Sequence, residues 1–164
     1  MKKITFLIIS LFLLIYINAC TGYKPIFSSS NLQFKIADYS ISGEKKLGKK
    51  IYSKLYNVSR SNKNNPTALS IQVSINTSKD KLATVKNSTG KILEYKINLN
   101  SNIIVNNFLT NEQVLNQDFN YNSSYEVQDQ HSETVKLENK TIEELISKTY
   151  QNVLIKLTET IAAQ

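Results

Sequence analysis

Cys20 is the only cysteine in this chain of 164 residues, so its thiol stands alone. A thiol can form a disulfide, ligate a metal, attack a substrate or accept a covalent modification. A single cysteine cannot form an internal disulfide. The chain's single histidine, His131, is the only other soft ligand, too little for a thiolate–imidazole metal centre. No nucleophile elbow, phosphate-cradling loop or zinc-ligand spacing occurs. Aspartates and glutamates are scattered, so no general acid/base pair stands out. His131 lies in the polar stretch Gln128-Asp129-Gln130-His131-Ser132 and reads as a surface histidine. The residues therefore predict a protein that is not an enzyme and holds no metal. What they leave for Cys20 is covalent modification.

The residues before Cys20 say which modification. Lys2 and Lys3 precede an apolar run of 14 residues, Ile4 to Ile17, and then Asn18-Ala19. A positive start, a short apolar core and a small residue before a cut site make a secretory signal peptide. The run is too short for a comfortable membrane-spanning helix. Ile17-Asn18-Ala19-Cys20 resembles a bacterial lipobox, which implies cleavage before Cys20 and attachment of lipid to it. That lipid is the only prosthetic group expected. One acyl chain binds a membrane marginally and two hold firmly. The predicted organisation is a signal peptide over 1–19, a lipidated tether over 20–30 and one periplasmic α+β domain over 31–164. Thr21, not Asp, follows the cysteine; by analogy with lipoprotein sorting this points to the outer membrane, on its periplasmic side.

Formal charge is +7 for the chain, and +5 once Lys2 and Lys3 are removed (7 − 2 = 5). A basic exported protein favours anionic partners; nucleic acid is not expected among them. Two groups of lysines stand out. Lys45, Lys46, Lys49, Lys50 and Lys54 fill one side of a helical pattern, either as a solvated face or as a surface for lipid phosphates or an acidic partner. Lys79, Lys81, Lys86 and Lys91 cluster around a connection between strands.

The elements that must position these groups follow from periodicity. Residues 31–39 alternate, with Leu32, Phe34 and Ile36 on one side, and predict a strand. Leu47, Ile51, Leu55 and Val58 then predict a helix over 43–58, with Ser42 as N-cap. Leu69, Ile71, Val73 and Ile75 mark a second strand. The stretch 78–90 is polar around Leu82, Ala83 and Val85; it is either loop or an extension of the neighbouring strands. Residues 91–106 form the longest alternating run, with Ser101 a gap in its apolar face, and 106–112 the reversal after it. Leu115, Phe119, Tyr121, Tyr125 and Val127 mark a fourth strand over 113–127. A closing helix starts at Thr134 or Asn139 and runs to Ala162, with Glu143 and Glu144 read as near its start. The order βαβββα predicts a two-layer α+β sandwich. Its four-stranded, mostly antiparallel sheet is covered on one face by two helices.

The segment Cys20-Thr21-Gly22-Tyr23-Lys24-Pro25-Ile26-Phe27 resembles the post-lipidation segment of the LPS-assembly lipoprotein family, LptE, with Thr21 inserted between cysteine and glycine. Gly43 to Leu55 is similar to that family's first helix, and the element order fits. The resemblance implies a non-enzymatic outer-membrane lipoprotein. Such a protein plugs and helps assemble an LptD-like β-barrel and binds lipopolysaccharide on its way to the outer leaflet. Lys79, Lys81, Lys86 and Lys91 are then the candidate lipopolysaccharide contacts. The alternative is another periplasmic lipoprotein, an assembly factor or pilotin for a different barrel or secretion channel.

Overall fold

The computed structural model describes residues 34–62 and 64–163; Cys20, the predicted signal peptide and tether, and Leu32 lie outside them. The elements are β1 (Phe34–Gly43), α1 (Lys45–Ser59) with a short 3-10 turn (Arg60–Asn62), β2 (Leu69–Lys86), β3 (Ile92–Asn107), β4 (Gln113–Glu126) and α2 (His131–Ala162). The strands form one sheet in the order β1-β2-β3-β4. β1 runs parallel to β2, and β2, β3 and β4 form an antiparallel meander. This is the predicted α+β sandwich.

One face of the sheet carries the core. Ile71, Val73 and Ile75 of β2 and Ile97, Leu99, Ile103 and Val105 of β3 are buried. Leu47, Ile51 and Leu55 of α1 and Leu145, Ile146, Val153, Leu154 and Leu157 of α2 close over them. Each such side chain contributes about 1.5–3 kcal/mol of transfer free energy. Ser101, the gap in the β3 stripe, is buried at that face, and its hydroxyl has no hydrogen-bond partner among the described residues. The opposite face is open and rich in Asn and Ser, with Asp38, Asp80, Lys96 and Asp118 among them. Cross-strand rows there run Ser42–Asn76–Asn102–Asp118 and Ser78–Asn100–Asn120.

Several boundaries differ from expectation. Ser42 does not cap α1; it pairs with Asn76 inside β1. Glu44 takes the cap position without a side-chain bond, and its backbone N–H donates to the Thr77 carbonyl at 2.7 Å. The sheet thus holds the cap residue by its own N–H, while the Glu44 carbonyl accepts the N–H groups of Leu47 and Gly48. The stretch 78–90 resolves mostly into strand: β2 continues to Lys86, with bulges around Ala83 and Val85. The long helix begins earlier than predicted, at His131, which is therefore its first residue and not linker. Its N-cap, Gln130, makes no side-chain cap bond. Instead the Thr134 hydroxyl accepts the Gln128 N–H at 2.9 Å from one turn inside. Glu143 and Glu144 consequently fall in mid-helix. Glu143 pairs with Lys50 of α1, tying the two helices together, and Glu144 lies 3.9 Å from Lys140.

Candidate functional site

β1 accompanies β2 only as far as Thr77, which pairs with Gly43. From Ser78 to Lys86, β2 has β3 alone beside it, and the two continue as a hairpin. Its edge is protected by the charges of Lys79, Asp80 and Lys81 and by the bulges. The turn at its tip is built by Asn87, whose side-chain oxygen accepts the backbone N–H of Thr89 at 3.0 Å and of Lys91 at 2.9 Å. Gly90 follows with φ +84°, a left-handed conformation that suits glycine.

This geometry splits the four predicted lysines into two pairs. Lys86 and Lys91 flank the tip turn and have no ion-pair partner among the described residues. Leu82, Val85 and Leu93 stand beside them, 53 %, 43 % and 40 % exposed. Cations and bare apolar side chains therefore share one projection. Lys79 and Lys81 sit further down β2, towards α2. Lys81 is not free: its ammonium donates to Glu138 Oε2 at 2.6 Å and lies 4.2 Å from the Tyr95 ring centre. The Tyr125 hydroxyl donates to the same Oε2 at 2.9 Å.

The electrostatics follow from that clamp. Burial pushes the Glu138 carboxyl up, but the hydrogen bonds from Lys81 and Tyr125 and the charges of Lys81 and Lys79 outweigh it and hold its pKa below the ordinary value. Burial pulls the Lys81 ammonium down, and the Glu138 carboxylate more than restores it, leaving it raised. Burial chiefly raises the Tyr125 hydroxyl. Lys81, Glu138, Tyr95 and His131 line a cleft of about 250 Å³ where the hairpin meets the start of α2. Glu138, Tyr95 and Tyr125 could not be picked out beforehand, because Glu138 lies 57 residues from Lys81 in sequence. Leu82 and Val85 were visible as apolar residues in a polar stretch, the one available signal.

The clamp predicts a pH dependence. A carboxyl whose native pKa is depressed contributes stability that is complete above its unfolded pKa and is lost as pH falls through the native value. Glu138→Gln should cost about 1 kcal/mol near neutral pH, a modest figure because both partners are partly solvated. It should also flatten part of the acid limb of a plot of melting temperature against pH. An acid limb unchanged in the variant would show that the clamp adds nothing to folding.

Among the described residues, no group of three His, Cys, Asp or Glu side chains is placed to hold a metal ion. No helix among them is long and apolar enough to cross a membrane. No protein-family model matches the sequence, and comparison with curated proteins found no similar sequence. Solved structures do match in fold. An uncharacterized lipoprotein B from Nitrosomonas europaea superposes with a TM-score of 0.60 at 14 % identity, covering 87 % of this chain and 94 % of that one. A candidate lipoprotein from Caulobacter crescentus superposes at 0.56 with 12 % identity, covering 82 % and 95 %. A minor lipoprotein from Acinetobacter baumannii gives 0.54 at 8 % identity, covering 77 % and 92 %. The βαβββα sandwich is thus a fold found in proteins described as bacterial lipoproteins. At these identities the likeness is one of fold.

Proposed function

We propose that this protein is an outer-membrane lipoprotein, anchored on the periplasmic side through lipid on Cys20. In this reading it is the non-enzymatic subunit of the lipopolysaccharide translocon that plugs an LptD-like β-barrel, assists its assembly and binds lipopolysaccharide. The observation that carries the binding role is the hairpin tip. Lipopolysaccharide is an amphiphile with phosphates beside acyl chains, and Lys86 and Lys91 beside Leu82, Val85 and Leu93 offer the complementary pair. The lipobox-like Cys20 and the shared fold support the anchor. A plug also needs a wet, hydrogen-bonding exterior, since large barrel lumens are polar; the open Asn- and Ser-rich sheet face offers one.

Replacing Lys79, Lys86 and Lys91 with Gln should weaken lipopolysaccharide binding at least tenfold at low ionic strength, with a smaller loss at high salt. Lys81→Gln alone should show the clamp's loss of stability and little further loss of binding. Equal affinity for the triple variant and the parent would reduce these lysines to surface charge. Pull-down from detergent-solubilised outer membranes should recover a large β-barrel. Depletion separates this reading from an assembly factor or pilotin for another channel: only here does lipopolysaccharide fail to reach the cell surface.

A further inference from the structure

The basic helix α1 carries a second surface that the hairpin does not use. It holds Lys45, Lys46, Lys49, Lys50 and Lys54 and no acidic residue, and Arg60 follows directly. Lys45, Lys49, Tyr52, Tyr56 and Arg60 stand at i, i+4, i+7, i+11 and i+15, one continuous stripe on a helix of 3.6 residues per turn. Cations occupy its two ends and aromatic rings its middle. Tyr39 of β1 stacks on Tyr52 with ring centres 4.0 Å apart, and Tyr52 on Tyr56 at 5.7 Å. Tyr39 and Tyr56 remain 48 % and 38 % exposed. At the Arg60 end, Lys35 and Arg60 flank a cleft of about 70 Å³ beside Tyr56. Of these cations only Lys50 has an ion-pair partner among the described residues, and it faces α2.

We infer that this stripe docks the domain onto a bilayer surface rich in anionic phospholipid. Tyrosines with a polar tip and an apolar body, and lysines with long apolar stems, are the side chains that settle at headgroup level. Each basic residue near an anionic leaflet is worth about 1 kcal/mol, about fivefold in affinity. The length of chain ahead of the domain favours a bilayer over a soluble acidic partner. Phe34 begins β1 next to the end of the stripe, where its carbonyl accepts a bond from Asn62 at 3.4 Å. Only 13 residues lie between it and Cys20 (34 − 20 − 1 = 13), 14 Cα-to-Cα steps with a reach of about 50 Å at full stretch. A lipid on Cys20, on which this part of the inference rests, keeps the stripe's end within that reach of the leaflet. The charge asymmetry then sets the orientation, since the opposite sheet face offers no comparable cation cluster.

The test uses the full lipidated chain on vesicles of phosphatidylcholine, with or without phosphatidylglycerol. An amine-reactive reagent, read residue by residue by mass spectrometry, reports Lys45, Lys46 and Lys49 against Lys96 on the open sheet face. Docking predicts severalfold slower labelling of the three helix lysines on anionic vesicles at low salt, with Lys96 unchanged and protection lost at high salt. Lys45→Gln, Lys49→Gln and Arg60→Gln combined should abolish the protection of Lys46; these exposed side chains make no ion pair among the described residues, so the fold survives. Equal labelling on both vesicles overturns the inference. So does equal protection on neutral vesicles with added inorganic phosphate, which would mark a free-anion site. Flotation on neutral vesicles reads the anchor separately: a protein that floats only on anionic vesicles has lost the anchor but kept the dock.

Discussion

Gly43→Ala should cost about 3 kcal/mol of folding free energy, a large part of the 5–15 kcal/mol that stabilises a domain. Gly43 lies where β1 turns into α1, with φ +68°. An L-residue held in the left-handed region pays about 1–2 kcal/mol. The space is also closed: a Cβ there would sit 2.1 Å from the Thr77 carbonyl oxygen and 2.7 Å from Asn76 Oδ1. That carbonyl accepts the Glu44 N–H, and the Thr77 hydroxyl donates back to the Glu44 carbonyl at 2.9 Å. Relieving the clash means moving backbone and losing at least one of these bonds, about 1 kcal/mol more. Gly90→Ala provides the contrast. It too has positive φ, +84°, but a Cβ there meets nothing within 4 Å. Its cost should be about 1 kcal/mol, the backbone contribution alone. Urea unfolding midpoints at unchanged m-value would measure both. Equal losses at the two glycines would rule out close approach as the cause at Gly43.

Phe34→Ala should cost about 3–5 kcal/mol, the range for emptying a large aromatic site in a core. Phe34 is fully buried although it opens the first strand. It belongs to the cluster formed by Leu47, Ile51 and Leu55 of α1 and Ile71 of β2. β1 is an edge strand, paired in the sheet with β2 alone, so the damage should be local before it is global. Amide exchange over 34–43 should accelerate far more than over β3. Phe34→Leu, which keeps most of the volume, should cost about 1.5 kcal/mol or less. Uniform acceleration across the sheet would mean that β1 and the meander melt as one unit.

The strands were legible because alternation survives wherever one face is buried: Ile71-Val73-Ile75 and Leu99-Ile103-Val105 point inward as read. α1 was legible from Leu47, Ile51 and Leu55. Its cap was not, because Thr77, a residue of another strand, satisfies the Glu44 N–H, and no local pattern records that. The early start of α2 was hidden for a related reason. Gln130 is a weak cap by type, and the Thr134 hydroxyl instead fastens the first turn to Gln128, a bond that no helix-start signal records. The β4 reading missed Val114, which is buried together with its neighbour Leu115. Val114 is itself the extra residue of a bulge in β4, opposite Val105 and Asn106, and this breaks the alternation there. At the candidate site the lysines could be named from sequence, but their division into a free pair and a pair beside the α2 clamp could not. That division depends on Glu138 and Tyr125 arriving from distant elements.

The strand that follows the predicted tether lies at one edge of the sheet and is held by the shortest of its three ladders, and this has a mechanical meaning. Tension on the amino end enters at Phe34 and falls first on a single ladder along one side of β1. The meander and both helices lie behind it. A pull on the leash would therefore peel this outer ribbon before it loaded the rest. The chain carries its own weakest seam at the place where force arrives.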